Sequence, residues 1–295
     1  MQTRRVFHCH CRIKVPVHHG EALLDRCFEL LEEIDHGYNS HQAGSRFDRI
    51  NQNAGCWVET DHACTEMLRT LKQVSALTDG SFDITCMPLI RLWGFYRRNH
   101  DDIPRPEEIR ATLPLVNWQE IAIDGNAVKI GSGQEIITGS FLKAWAVDQV
   151  VKLLRDEGVT DAVMNAGGST IAAINEDSHP HWTVNIPDAF TPGVTATRLK
   201  IADQCFSLSG RLNNHLVIGG RTYGHILNSN TGWPSPTAQT GVVTADAFTG
   251  DIISTALFAV EKEVLEKTVE GLKEHFTFDH FRIEDDNYST PGRCF

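Results

Sequence analysis

The chain has 295 residues, 41% hydrophobic and 22% charged, enough to bury an ordinary soluble core as one large domain or two small ones. Its net charge of -11 argues against a nucleic-acid binder, whose footprint is a basic face, and leaves room only for a local basic pocket. No stretch approaches the ~20 consecutive apolar residues that cross a bilayer, so no membrane span is expected.

The opening MQTRRVFHCHCRIKV has arginines without an apolar stretch behind them, which as it stands reads as cytoplasmic, or as exported if a leader has been removed. The cysteines are scattered with no Cys-x-x-Cys pair, a pattern of reduced core thiols. Residues 6 to 15 alternate, with Phe7, Cys9, Cys11, Ile13 and Val15 on one side and His8, His10, Arg12 and Lys14 on the other, which predicts one half-buried strand. The same alternation sends the histidines and cysteines of His-Cys-His-Cys to opposite faces and argues against a shared metal site. After Gly20, the positions of Leu23, Leu24, Cys27, Leu30, Leu31 and Ile34 mark an amphipathic helix. A loop and short helix are expected over residues 40 to 55. Residues 60 to 79 read as a second helix, striped by Cys64, Met67, Leu68, Leu71, Val74 and Leu77. Residues 97 to 117 are polar and proline-containing, a surface excursion with a short helix opened by Pro106.

Short strands are expected at residues 121 to 123, 127 to 130 and 135 to 138, the first two joined by an Asp-Gly-Asn hairpin turn. A helix follows Gly139, apolar along Leu142, Ala146, Val150, Leu153 and Leu154 and ended by Gly158. Strands are expected at residues 161 to 166, 170 to 174, 182 to 186, 197 to 201 and 204 to 209, with glycines at 167 and 168 that permit close approach of a ligand. A strand over residues 222 to 227 runs into a turn at Asn230, Gly232 and Pro234. An apolar strand, GVVTA, and a helix capped by Asp246 come next. That helix is apolar nearly all round, yet Asp251 and Thr255 sit one turn apart on one face. A buried carboxylate needs a partner, whether a lysine, a cap or nearby backbone amides. An exposed amphipathic segment at 262 to 274 and a strand near 277 to 283 precede a loose tail, 287 to 295. Strands outnumber helices and hairpin spacing dominates, which gives an α+β fold of antiparallel sheets with packed helices. No linker interrupts it, so a single domain over residues 1–295 is expected.

Five blocks carry a resemblance. The longest comprises Gly80, Phe82, Asp83, Thr85, Pro88, Leu89, Leu92, Trp93, Gly94 and Phe95. The others are Ser45, Phe47, Ile50 and Asn51; Gly139, Lys143, Ala146 and Asp148; the run from Asn165 to Gly168; and His225, Ile226, Thr231, Gly232 and Pro234 followed by Thr249, Asp251, Thr255, Ala256, Leu257 and Phe258. Taken in chain order they resemble the ApbE family, the FAD:protein FMN transferases, whose fold is then expected here. The resemblance implies transfer of FMN from FAD to a Thr or Ser hydroxyl of an acceptor protein through a phosphoester bond, with release of AMP and with Mg2+ as cofactor.

By the same resemblance, FAD is contacted by Ser81, Phe82 and Asp83, by Asn165, Gly167, Gly168 and Ser209, and by Ile226, Thr231 and Gly232. His41 takes the place of an aromatic that stacks on flavin. Mg2+ is held by Asp251, Thr255 and the carbonyl of Ala146. A mid-helix carbonyl is committed to the amide four residues on, so the last ligand requires a break in the helix near residues 144 to 150. Lys143 adds a point charge, and His225 activates the acceptor hydroxyl or holds phosphate. The plain structural readings are a turn-stabilising Asp83 beside a buried Phe82 and a strand histidine at 225. Three alternatives stay open: an FAD pyrophosphatase, which uses the same metal; an FAD-binding protein without catalysis, favoured by departures from the family pattern at Ile137, Ser140, Ser169 and Asn230, with Ala144 a further departure; and a structural protein that binds neither FAD nor metal.

Overall fold

In the computed structural model, which describes residues 1–95 and 102–285, the N-terminal alternation is a hairpin where the pattern predicts one strand. β1 (Gln2–Val6) pairs antiparallel with β2 (Cys9–Lys14), Val6 opposite Cys9. Phe7 and His8 turn the chain with φ of 51° and 59°. Two successive positive φ values belong to the type I′ turn, whose twist matches the strands it joins. Because Phe7 and His8 continue the apolar-polar alternation, periodicity cannot detect this turn. Along β2 the side chains of Cys11 and Ile13 are buried while His10, Arg12 and Lys14 are exposed, as expected. Among the described residues no three His, Cys, Asp or Glu side chains converge on a metal position.

α1 (Gly20–Tyr38) buries Leu23, Leu24, Cys27, Phe28, Leu31 and Ile34. α2 (Arg46–Gln52) begins where Ser45 Oγ accepts from the Asp48 amide at 3.1 Å. β3 (Val58–Glu59) leads into α3 (His62–Leu77), capped by Asp61, which accepts from the Cys64 amide at 2.9 Å. Such caps satisfy amides that the first turn of a helix leaves without a partner. α4 (Met87–Trp93) stops at Gly94, and α5 (Pro106–Thr112) opens on its proline. β4 (Ala122–Asp124) and β5 (Ala127–Lys129) make the expected hairpin, with β3 on the other side of β5. Residues 135 to 138 do not form the expected strand. Glu135 makes an isolated bridge to Cys86, and the Asn51 side chain replaces a strand neighbour, donating to the Ile136 carbonyl at 2.9 Å and accepting from its amide at 2.7 Å.

α6 (Leu142–Asp156) is followed by β6 (Ala162–Ala166), β7 (Thr170–Ile174), β8 (Trp182–Pro187), β9 (Thr195–Ile201) and β10 (Cys205–Gly210), close to the expected positions. β11 (His215–Ile218) pairs with β12 (Arg221–Gly224). The expected strand over 222 to 227 breaks at His225 and Ile226, and β13 (Leu227–Asn228) then pairs with β14 (Trp233–Pro234). β15 (Thr237–Thr244), α7 (Ala247–Ala259), α8 (Leu265–Lys273) and β16 (Asp279–Glu284) complete the chain. The start of the polar excursion, 97 to 101, and the tail expected to be loose lie outside the described residues. No helix among the described residues is long and apolar enough to cross a membrane.

The main sheet has seven strands in the order β1-β2-β6-β7-β10-β15-β16, every neighbouring pair antiparallel. Alternation along the strands divides two cores. Cys11, Ile13, Met164, Ala172 and Val242 face α1, α3, α6 and α7, whereas Ile171, Phe206 and Leu208 face the opposite way, against the β8–β9 ribbon. A third cluster gathers Trp93 of α4, Ile109 of α5 and Tyr223 of β12. This is the α+β, antiparallel architecture that the hairpin spacing predicts.

Candidate active site

α7 is the helix that sets the site. Asp246 caps it, its carboxylate accepting from the Thr249 amide at 2.8 Å. A second carboxylate, Asp148 of α6, accepts from the Ala247 amide at 2.7 Å and the Phe248 amide at 2.8 Å, which ties α6 to the start of α7. One turn further in, Asp251 is only 6% exposed. Its partner is Lys143 of α6, with Nζ 3.6 Å from Oδ2. Lys143 also donates to Ser169 Oγ at 3.1 Å and to Thr170 Oγ1. Thr255 approaches Ser209 Oγ at 3.4 Å, and Ser209 approaches Ser254 at 2.9 Å. Thus α6, α7, β7 and β10 converge on one lysine, one carboxylate and a row of hydroxyls.

Lys143, Ser169, Ser209, Asp251 and Thr255 line a cavity of about 480 Å³, a volume ordinary for small-molecule sites. Of the residues picked out from the sequence, Phe82, Asp83, Lys143, Ser209, His225, Ile226, Asp251 and Thr255 are on its walls. The sequence reading missed Phe7 and His8 at the β1–β2 turn, and Asn213 and Asn214 beside β11. A two-residue hairpin would have been the signal for the first pair. Ile137, Ser140 and Ser169, three of the five departures from the family pattern, also lie on the walls.

Burial pushes the Asp251 carboxyl above the usual carboxylate range, against the pull of Lys143. Burial likewise pushes Asp148 up to about 7, helped by Asp246 and Asp251, while the two amides it caps oppose the rise. His225 is displaced downward by burial, and its Nδ1 lies 3.0 Å from the Asn214 carbonyl. A carbonyl only accepts, so Nδ1 carries the proton and Nε2 keeps its lone pair.

The oxygen donors Asp251 and Thr255, with Lys143 nearby, suit a hard cation that takes few protein ligands and shares substrate phosphates. Ala146 does not fit this set. It is fully buried in α6, away from the cavity wall, and α6 runs from Leu142 to Asp156 without the break that a free carbonyl requires.

The ApbE family profile matches residues 7–277. The chain belongs to the ApbE family. It is 27% identical over 252 residues to the FAD:protein FMN transferase of Klebsiella pneumoniae strain 342, covering 83% of this chain and 78% of that one. With the FAD:protein FMN transferase of Vibrio cholerae it shares 26% over 269 residues, 83% of this chain and 80% of the other. The fold superposes on the crystal structure of the ApbE protein from Thermotoga maritima with a TM-score of 0.84, at 21% identity and 96% coverage of both chains. For the flavin transferase ApbE from Vibrio cholerae the TM-score is 0.80, again at 21% identity and 96% coverage of each.

Several ApbE motif residues shape the cavity, Asp83 from its wall and the others from behind it. The Asp83 carboxylate accepts from the Thr85 amide and hydroxyl at 2.8 and 2.7 Å and from the Trp118 amide at 2.7 Å, so it braces the loop whose Phe82 faces the cavity. The Ser81 carbonyl accepts from the Ser229 amide at 3.0 Å, and Asn230 donates to the Asp79 carbonyl at 2.9 Å, which joins this loop to the β13–β14 turn. Thr231 and Gly232 make that turn, and the Gly232 carbonyl accepts from Trp93 Nε1 at 2.8 Å. Asn165 Oδ1 accepts from the Gly168 amide at 2.8 Å, and Gly167 and Gly168, at φ 68° and 76°, present Ser169 to the site. His41 is exposed and off the cavity wall.

Gly232→Ala tests this supporting role. Gly232 has φ 73°, and an added Cβ would come within 2.5 Å of Ile109 Cγ2. A positive φ with such a contact is expected to cost about 1–3 kcal/mol, read as a lower urea midpoint.

Proposed function

We propose that this chain transfers FMN from FAD to a threonine or serine hydroxyl of another protein, forming a phosphoester and releasing AMP, with Mg2+ at Asp251 and Thr255. The observation that carries the reading is the buried Asp251–Lys143 pair, which opens with Thr255 onto a cavity walled from Phe7 to Ala259. A carboxylate and an ammonium in a recess are poorly explained as packing, because both give up hydration to be there. They are well explained by an anionic diphosphate and a divalent cation that complete the charge balance. The names carried by its relatives, FAD:protein FMN transferase, supply the substrate. Since the walls draw on both ends of the chain, we treat it as one functional domain.

Mg2+ held there would neutralise charge on the phosphate oxygens. Lys143 places its ammonium beside them, kept in position by Ser169 and Thr170. His225 presents a neutral Nε2 that takes the proton of the incoming hydroxyl. The oxygen then bonds to the FMN phosphorus as the bond from that phosphorus to the AMP oxygen breaks. Seven free thiols among the described residues suit a reducing, cytoplasmic setting.

The test is incubation of the purified protein with FAD, Mg2+ and a candidate acceptor protein, read as an FMN mass increment on the acceptor and AMP in solution. Free FMN and AMP in equal amounts without acceptor would make it a pyrophosphatase, and bound FAD without products would leave only a binding protein. The downshift of His225 adds a pH expectation. The transfer rate should stay level as pH falls through 6.5, the ordinary histidine value, and decline only below it. An inflection at or above 6.5 that vanishes in His225→Gln would show a charged imidazole instead.

A further inference from the structure

The His-Cys-His-Cys run, set aside as a metal site, places two thiols side by side near the candidate active site. Cys9 and Cys11 are on the same face of β2, with Sγ atoms 3.8 Å apart. Cys9 is half-buried and follows directly on the Phe7–His8 turn that walls the cavity, whereas Cys11 is fully buried. Residues two apart on a strand have Cα atoms about 6.6 Å apart, within the span a disulfide bridges. The sulfurs are already neighbours, and drawing the two Cβ atoms to the roughly 4 Å separation of a disulfide bends the start of β2 between them.

We propose that Cys9 and Cys11 form a peroxide-sensitive pair, oxidised to an intramolecular disulfide that slows flavin transfer. The slowing rests on the function proposed above; the thiol chemistry does not. Cys9 is the nucleophile. Hydrogen bonding from Cys11 and the nearby Lys143 ammonium hold its thiol down to about 7, against burial and the Asp35 carboxylate. Burial and the bond to Cys9 push Cys11 well up, which keeps it protonated as the second thiol. The Cys9 thiolate attacks one peroxide oxygen, the O–O bond breaks, and the departing hydroxide is protonated to water, leaving a sulfenic acid on Cys9. The Cys11 sulfur then attacks the Cys9 sulfur and passes its proton to the departing hydroxide. Two thiols lose two hydrogens, and one hydrogen peroxide becomes two waters.

The route to the active site is short. A Cβ placed on Gly167 would come 3.0 Å from Cys9 Cβ and 3.1 Å from its Sγ, so Cys9 packs tightly on the glycine turn. That turn carries Ser169 and Thr170, which hold Lys143. Drawing the Cys9 sulfur toward Cys11 removes this packing and also removes the thiolate charge near Lys143.

The experiment uses the full chain with Cys56→Ser and Cys294→Ser, which removes an exposed thiol and the C-terminal one. Reduced protein is treated with hydrogen peroxide, alkylated and digested with trypsin. The peptide from residue 6 to 12 contains both thiols and no other cysteine. It is expected unalkylated and two hydrogens lighter, and restored by dithiothreitol. In Cys11→Ser the Cys9 sulfenic acid should persist and be trapped by dimedone. Transfer should fall on the order of tenfold on oxidation and recover on reduction, with the oxidised-to-reduced ratio near unity in Cys9→Ser. Full alkylation of both thiols after peroxide would overturn the pair. A disulfide that leaves transfer unchanged would overturn its control of the site, and reduced protein with no transfer would defeat the proposed activity while leaving the thiol result standing.

Discussion

Asp251→Asn is expected to cut flavin transfer on the order of a hundred- to a thousandfold while leaving the fold within about 1 kcal/mol of wild type. Asparagine has nearly the same shape, and its Oδ1 still faces Lys143, which also retains Ser169 and Thr170 as acceptors. What disappears is the negative charge, and with it the strongest ligand for a hard cation. The raised pKa of Asp251 gives the sign of the stability effect. A carboxyl driven upward by burial is one whose ionised form burdens the folded state, so its contribution is complete at low pH and lost as pH rises through the folded pKa. An amide does not have that burden. Transfer assays and urea melts on the same preparation give the answer. A loss of 3–5 kcal/mol, the usual penalty for breaking a buried ion pair, would instead make the pair a structural staple. Undiminished transfer would remove the cation from this position.

Much of the site was legible because the residues that matter contradict their local pattern. A carboxylate on a helix otherwise fit for burial all round stands out from composition alone, and the structure buries Asp251 and gives it the lysine that such a group requires. The helices were equally plain, since their stripes and caps are local: Asp246 and Gly158 begin and end helices where their chemistry demands. The elements that escaped are those fixed by contacts distant in sequence. Asn51 replaces a whole strand neighbour for Ile136, 85 positions away. Asp83, readable as a turn-stabilising residue, finds one of its partners, the Trp118 amide, 35 positions away. The β1–β2 turn was hidden for the opposite reason, because its two residues obey the period of the strands around them.

The second large effect is expected at Asp148, and it depends on pH. Its carboxyl is displaced from 3.8 to about 7 by burial and by Asp246 and Asp251, although the Ala247 and Phe248 amides favour the ionised form. With a folded pKa above the unfolded one, stabilisation is complete below the unfolded value and lost as pH rises through about 7. At 1.36 kcal/mol per pKa unit, the contribution lost is about 4 kcal/mol as a ceiling, so urea midpoints should fall between pH 5 and pH 8. Asp148→Asn cannot titrate, and its amide nitrogen would face one of the two helix amides as a donor against a donor. The variant should therefore be less stable than wild type by about 1–2 kcal/mol at low pH, the worth of a lost cap. That gap should close as pH rises, because only wild type acquires the buried charge. The difference between the two proteins across pH cancels titrations elsewhere, which makes it the quantity to measure. A constant gap would mean that Asp148 is ionised throughout. In that case the two α7 amides outweigh burial, and α7 is held to α6 by a charged cap at every pH tested.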